Sequence, residues 1–355
     1  MDSAFRGDLL RLGRQARKVT QTQLSSTSSL SQAFISMIED DLRSPTAEQE
    51  LALGEALNFP IEFFHLGDPV LGTGVGEIFH RKRKAIPKKE LDSIHAWMNI
   101  KTIALRRLIA PIEWPEIDLP SKPVFLSPED AARRLRANWY VNNGPIQSVS
   151  RLLQSAGVLV VPLETDNQRI DAIGQWTADL PPLIFVNPNI PQDRLRFTLM
   201  HELGHLVMHQ RATNLSLSES IAEEANAFAA EFLMPEKDIK RDLRHLDIQR
   251  LAALKRTWRT SMQSLLVRAE HLGVVTPATL RRLWVEIGRN GWRASEPQEL
   301  DVTGEEPFER YDEILWLYQS QLQYSSADVG KVVSLHSSDI EEYLIRKHAR
   351  LRLVT

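Results

Sequence analysis

The chain has 355 residues, a formal net charge of −3 and no cysteine. That length builds two or three domains with a substantial core, and the charge gives no global case for nucleic-acid binding. Disulfides and thiolate metal sites are excluded. No apolar run approaches the ~18 residues of a membrane span, and no signal-type apolar segment opens the sequence, so a cytoplasmic protein without membrane contact is expected.

Residues 1–66 read as a bundle of short helices. In TQTQLSSTSSLSQAFISMIEDDLRSPT (20–46), Thr20 caps a first helix carrying Gln21 and Leu24. Ser31 caps a second, from Gln32 to about Asp40, with Phe34, Ile35 and Ile38 as apolar contacts. This segment resembles the helix-turn-helix of the XRE (Cro/C1-type) family, with Thr20, Gln21, Leu24, Ile35, Ser36, Ile38, Glu39 and Pro45 on family positions. The resemblance implies a second helix in the major groove of double-stranded DNA. Gln21, Gln32, Ala33, Phe34 and Met37 are then the DNA-binding candidates.

Several residues depart from that family pattern. Ser29 replaces the usual turn glycine, and Asp40–Asp41 replace a basic residue and a glycine. Residues 1–66 hold six Lys/Arg against nine Asp/Glu, which opposes phosphate contact, and leave Arg11, Arg14, Arg17 and Lys18 to meet a backbone. A helical module for protein contacts or dimerisation is the competing reading.

Residues 67–127 begin with a glycine-rich linker (67–76) that lacks the lysine of a phosphate loop. FHRKRKAIPKK follows, with six Lys/Arg between Arg81 and Lys89, read as a solvated face, a nucleic-acid contact or an anchor for an acidic partner. An amphipathic helix is expected over 89–110, then a Pro-rich stretch from Pro111 to Pro128.

Residues 128–236 form the next domain. Helices are expected at 128–141 and 145–156, each opened by a proline in its first turn, with Gly157 ending the second. VLVVPL (158–163) reads as a buried strand, and AIGQW (172–176) with PLIFVNP (182–188) as a hairpin turning at Ala178–Pro181. In FTLMHELGHLVMH (197–209), His201, Glu202 and His205 form H-E-x-x-H. Four residues make about one helical turn, so both imidazoles leave one face and can close on one ion. That spacing suits Zn²⁺, with Glu202 placed as general base. EEANAFAAEFLMP (223–235) reads as a second helix, acidic at its start and closed by Pro235. Residues 237–293 are helical with helix-turn-helix character, and 294–355 start with an acidic loop and continue as two helices.

RFTLMHELGHLVMH, EANAFAAEFLMP, LLQSAGVLVVPL and the LKRTWRTSM…RAEHLGVVT segment together resemble the ImmA/IrrE metallopeptidase family, here behind an XRE-like module. The resemblance implies an α+β, predominantly helical fold with a zincin-like domain, a small sheet and a helical C-terminal region. It implies Zn²⁺ on His201 and His205, Glu202 as catalytic base, and a protein substrate or partner such as a repressor or an antitoxin. In the zincin arrangement the sheet edge pairs with an extended peptide, making Gln175 and Trp176 candidates for substrate contact beside a structural role for Trp176. In the family the third ligand is a glutamate four residues before the Asn of the ANxFA block. Here that Asn is Asn226 and the position is Ala222. Glu223 is the favoured substitute over Glu219 and Glu224, with loss of the ligand as the other outcome. A dimer is compatible with this organisation. The two functional expectations are a zinc endopeptidase controlling a stress, mobile-element or toxin–antitoxin operon, and a catalytically impaired transcriptional regulator using its helix-turn-helix.

Overall fold

A computed structural model describes residues 4–71, 87–120, 125–163, 171–177, 179–209, 219–293, 295–297, 304 and 306–345. The linker beyond Leu71, Arg81–Lys84 of the basic run, Ala178 of the hairpin turn and 298–303 of the acidic loop lie outside them. The fold is α+β and predominantly helical, and the chain forms two compact units. Among the described residues no helix is long and apolar enough to cross a membrane.

The first unit takes the chain up to Trp114 and again from Arg310 onward. It begins with α1 (Gly7–Ala16), α2 (Gln21–Ser28), α3 (Gln32–Glu39) and α4 (Ala47–Leu57), then a short 3-10 turn (Ile61–His65) and α5 (Lys88–Ile109). The caps explain these boundaries. Thr20 and Gln23 form a capping box on α2, Thr46 and Gln49 one on α4, and the Ser31 hydroxyl accepts from Phe34 N at the start of α3. Leu9, Leu10, Leu24, Ile35, Ile38, Leu53, Phe63 and Phe64 fill the core beneath them. C-terminal helices Glu309–Trp316 and Ser326–Val333 belong to the same end of the chain. Its Tyr343 stacks on Trp97 of α5 at 3.7 Å between centroids, and the Tyr318 hydroxyl donates to Leu108 O at 3.1 Å.

The second unit comprises Pro115–Pro162 and Asp166–Glu309. Its elements are α6 (Pro128–Asn138), α7 (Val149–Ser155), β1 (Leu159–Pro162), β2 (Ala172–Gln175), β3 (Leu183–Val186), α8 (Gln192–Met208), α9 (Glu219–Leu233), α10 (Glu236–Ile239), α11 (Ile248–Trp258), α12 (Met262–His271) and α13 (Pro277–Arg289). Pro128 opens α6 in its first turn as expected, whereas α7 starts at Val149 because the Ser148 hydroxyl caps it. The sheet order is β1-β3-β2, with β1 parallel and β2 antiparallel to central β3. Every residue of β1 and β3 is buried, and α8 packs on the β2 side of the sheet and against α9.

Three buried cations tie the helices of this unit together. Lys255 of α11 donates to Asp193 at 2.6 Å and Glu296 at 2.8 Å. Arg196 of α8 pairs with Glu306 and donates to Ile146 O, and Arg268 of α12 pairs with Glu231 and donates to Met234 O. Glu306 also accepts from Ser150 N at 2.9 Å and the Ser148 hydroxyl at 2.8 Å, so a residue of the acidic loop caps α7 and neutralises α8.

Candidate metal centre

The histidines of α8 form a row. His201 and His205 direct their Nε2 atoms at each other, 3.1 Å apart. His205 Nδ1 meets His209 Nδ1 at 3.0 Å, and His209 Nε2 meets Glu224 at 3.0 Å. Helical spacing of four residues places the three rings successively along one side of α8. His201 Nδ1 donates to Asn226 Oδ1 of α9 at 2.9 Å, which turns its Nε2 lone pair toward His205. Burial pushes the His201 pKa down to about 4, against the raising effect of its hydrogen bond to Asn226, so the ring is neutral at pH 7 and competent as a ligand.

Glu202 is only 2 % exposed and accepts a hydrogen bond from Gly174 N of β2 at 2.7 Å. A Cβ at Gly174 would lie 3.0 Å from that carboxylate oxygen, so glycine is what lets the strand approach it. Gly204 has the same role between helices: a Cβ there would lie 3.1 Å from the Phe228 ring of α9.

Two imidazole nitrogens 3.1 Å apart are close to the ~3.3 Å spacing set by one tetrahedral zinc with bonds of about 2.0–2.1 Å. The pair therefore fits a zinc ion at two positions. Among the described residues, no group of three or more His, Cys, Asp or Glu side chains is gathered to hold a metal ion. Ala222 lies one turn before Asn226 on the stripe of α9 that meets α8, while Glu223 is turned out to solvent. Glu224 is engaged by His209, and the side chain of Glu219 is outside the described part of the helix. The α9 helix begins four residues before the expected 223, so the acidic run lies inside the helix.

Residues 153–270 match the Peptidase_M78 family, described as the IrrE N-terminal-like domain. The match takes in β1 through α12, including the histidine row, Glu202 and Asn226, and covers about a third of the chain. No curated protein matches the chain.

The DNA-contact candidates lie in the other unit. Gln32 and Ala33 are exposed on α3, with Phe34 and Met37 partly exposed. Gln21 is committed internally: its amide donates to Glu39 at 2.9 Å and accepts from Gln32 at 2.8 Å. The basic cluster expected to face a backbone is largely spent. Arg14 donates to buried Glu39, Arg11 pairs with Asp40, and Arg17 pairs with buried Asp339 while lying 4.4 Å over the Phe59 ring.

Sequence reasoning missed Gly174 as the partner of Glu202, because nothing local in AIGQW marks a backbone N–H aimed at a helix 28 residues away. It also used Asn226 only as an alignment marker. An amide in the apolar run ANAFAA was the available signal, since a polar side chain drawn against a neighbouring helix there requires a partner.

Proposed function

We propose that the chain is a zinc-dependent endopeptidase-type regulator that cleaves or disables a protein partner, such as a transcriptional repressor or an antitoxin. The observation that carries this is the convergence of His201 and His205 beside buried Glu202, within the segment that matches the peptidase family. When bound there, zinc supplies Lewis-acid polarisation of a scissile carbonyl and of water. The chain's own residues do the rest. Asn226 orients His201, His209 orients His205, and Glu202 is the proton acceptor, fixed by the Gly174 N–H. Beside Glu202, β2 is an edge strand of the described sheet, suited to lay an extended peptide across the site through Gln175 and Trp176.

A second reading, a regulator that binds DNA or a protein without hydrolysis, is favoured by Ala222 in the ligand position and exposed Glu223. One set of variants separates the two. Metal content is measured by mass spectrometry on protein purified without added metal, beside His201→Ala, Glu223→Ala and Ala222→Glu. The peptidase reading expects near-stoichiometric zinc in the unaltered chain, lost in His201→Ala. Zinc that is lost in Glu223→Ala as well identifies the third ligand. Zinc gained only in Ala222→Glu supports the non-hydrolytic reading. Glu202→Gln then keeps the metal and slows partner cleavage by roughly 10²–10⁴-fold; undiminished cleavage removes Glu202 from the role of base.

A further inference from the structure

At the far end of α9 from the histidine row lies a cleft of about 390 Å³, lined by five cations (Arg133, Lys237, Lys240, Arg241, Arg244) and two carboxylates (Glu231, Glu236). The carboxylates are already engaged. Glu231 is buried against Arg268, with Arg133 at 3.4 Å, and Glu236 holds Lys240 at 2.7 Å. The other acids of this stretch turn away from the cleft: Asp238 accepts from Gly144 N at 2.8 Å and Asp242 from Trp258 Nε1 at 3.2 Å. Folding therefore turns Asp238 and Asp242 of the mixed-charge segment EKDIKRDLR (236–244) away from the cleft and leaves Glu236 in its lining, paired with Lys240. Lys237, Arg241 and Arg244 are exposed and, among the described residues, none of them has an ion-pair partner.

We propose that this cleft binds a compact phosphate polyanion of the tripolyphosphate type. Converging like charges raise the local potential and are relieved by an anion, and guanidinium groups match phosphate oxygens in forked pairs. The cleft is open to solvent and its volume is that of a small-ligand site, whereas duplex DNA calls for an extended basic face. No aromatic or apolar side chain lines the cleft, so the phosphate chain is what it recognises, rather than a base or an acyl group.

The test is calorimetric titration of the full-length chain with inorganic tripolyphosphate, in parallel with Arg241→Ala/Arg244→Ala and a charge-matched control, Lys88→Ala/Lys89→Ala. The expected result is saturable one-to-one binding that weakens at least tenfold in the Arg241/Arg244 pair, weakens with added salt, and is unchanged in the control. Thermal melting of each variant reports its folding. ATP binding like tripolyphosphate supports a free nucleotide as one source of the phosphate chain. Absent binding, equal loss in the control, or an undiminished Arg241/Arg244 variant overturns the site. Tighter binding of a 20-base-pair duplex or of hexaglutamate, lost in the same variant, overturns the phosphate assignment in favour of nucleic acid or an acidic peptide.

Discussion

The basic cluster of the first unit and the histidine row of the second use their polar side chains in opposite ways. In the first, Arg11, Arg14 and Arg17 form a basic cluster in sequence, yet each is held by a carboxylate of the fold: Asp40, Glu39 and Asp339. In the second, the histidines of α8 are fixed by hydrogen bonds on their outer nitrogens, which leaves the inner ones of His201 and His205 converging. Residue type alone does not separate these cases. What separates them is whether the neighbouring side chains consume the functional group or aim it.

The largest effect expected from breaking this contrast lies in the buried network beside the site. Glu306→Ala leaves Arg196, 1 % exposed, without its counter-charge and uncaps Ser150, and costs about 3–5 kcal/mol in chemical denaturation. Arg11→Ala breaks a pair with Asp40 whose side chains are 43 % and 53 % exposed and a longer contact with Glu39, which keeps Arg14, and costs about 1 kcal/mol. Equal losses in the two variants would erase the distinction. Burial alone raises the Glu306 carboxyl, but Arg196 and the hydrogen bonds at Ser150 and Ser148 outweigh it and leave it below the ordinary value. Its contribution is therefore present above the unfolded carboxyl range near pH 4.5 and is lost as pH falls below it.

His201 gives a pH signature of the metal-free site. Its folded value near 4 lies below the unfolded value of 6.5, so the unfolded chain binds more protons between them. Stability of chelator-treated protein then falls as pH drops from about 6.5 toward 4, by up to about 3 kcal/mol. Denaturation midpoints at pH 7 and 5 should converge in His201→Gln, and a slope unchanged in that variant would assign the loss to other groups.

Close packing at Gly204 predicts a smaller effect. Gly204→Ala pushes the Phe228 ring and costs about 1–3 kcal/mol, against the gain that alanine brings in an open helix. Because the displaced helix α9 carries Asn226, the variant should also bind zinc less tightly than its stability loss explains, checked by competition with a chelator.

Much of this was legible in the sequence because it depends on local rules. Thr20 and Ser31 each cap the helix that follows, and the short runs AIGQW and PLIFVNP on either side of a turn yield β2 and β3 in antiparallel register. The HELGH spacing likewise puts two imidazoles on one face. The remainder depends on contacts distant in sequence. Asp339 reaching Arg17 spans 322 residues, and Glu306 reaching Arg196 spans 110, so no window along the chain reveals that those charges are spent. The start of α7 was misplaced for a related reason. Pro145 has the chemistry of a first-turn proline, but Ser148, held by Glu306 from far along the chain, sets the boundary.

The smallest predicted change concerns the turn between α2 and α3. Ser29 caps α2 at φ 58°, in the left-handed region where a Cβ approaches the following carbonyl. Glycine carries no such penalty, although it adds entropy to the unfolded chain, so the two terms partly offset. Ser29→Gly should therefore stabilise the chain by about 1 kcal/mol or less, read as a small rise in the denaturation midpoint at unchanged slope. Metal content is expected not to move, because that turn and the histidine row belong to different units. A stabilised variant with altered zinc binding would show that the two units share more than a chain.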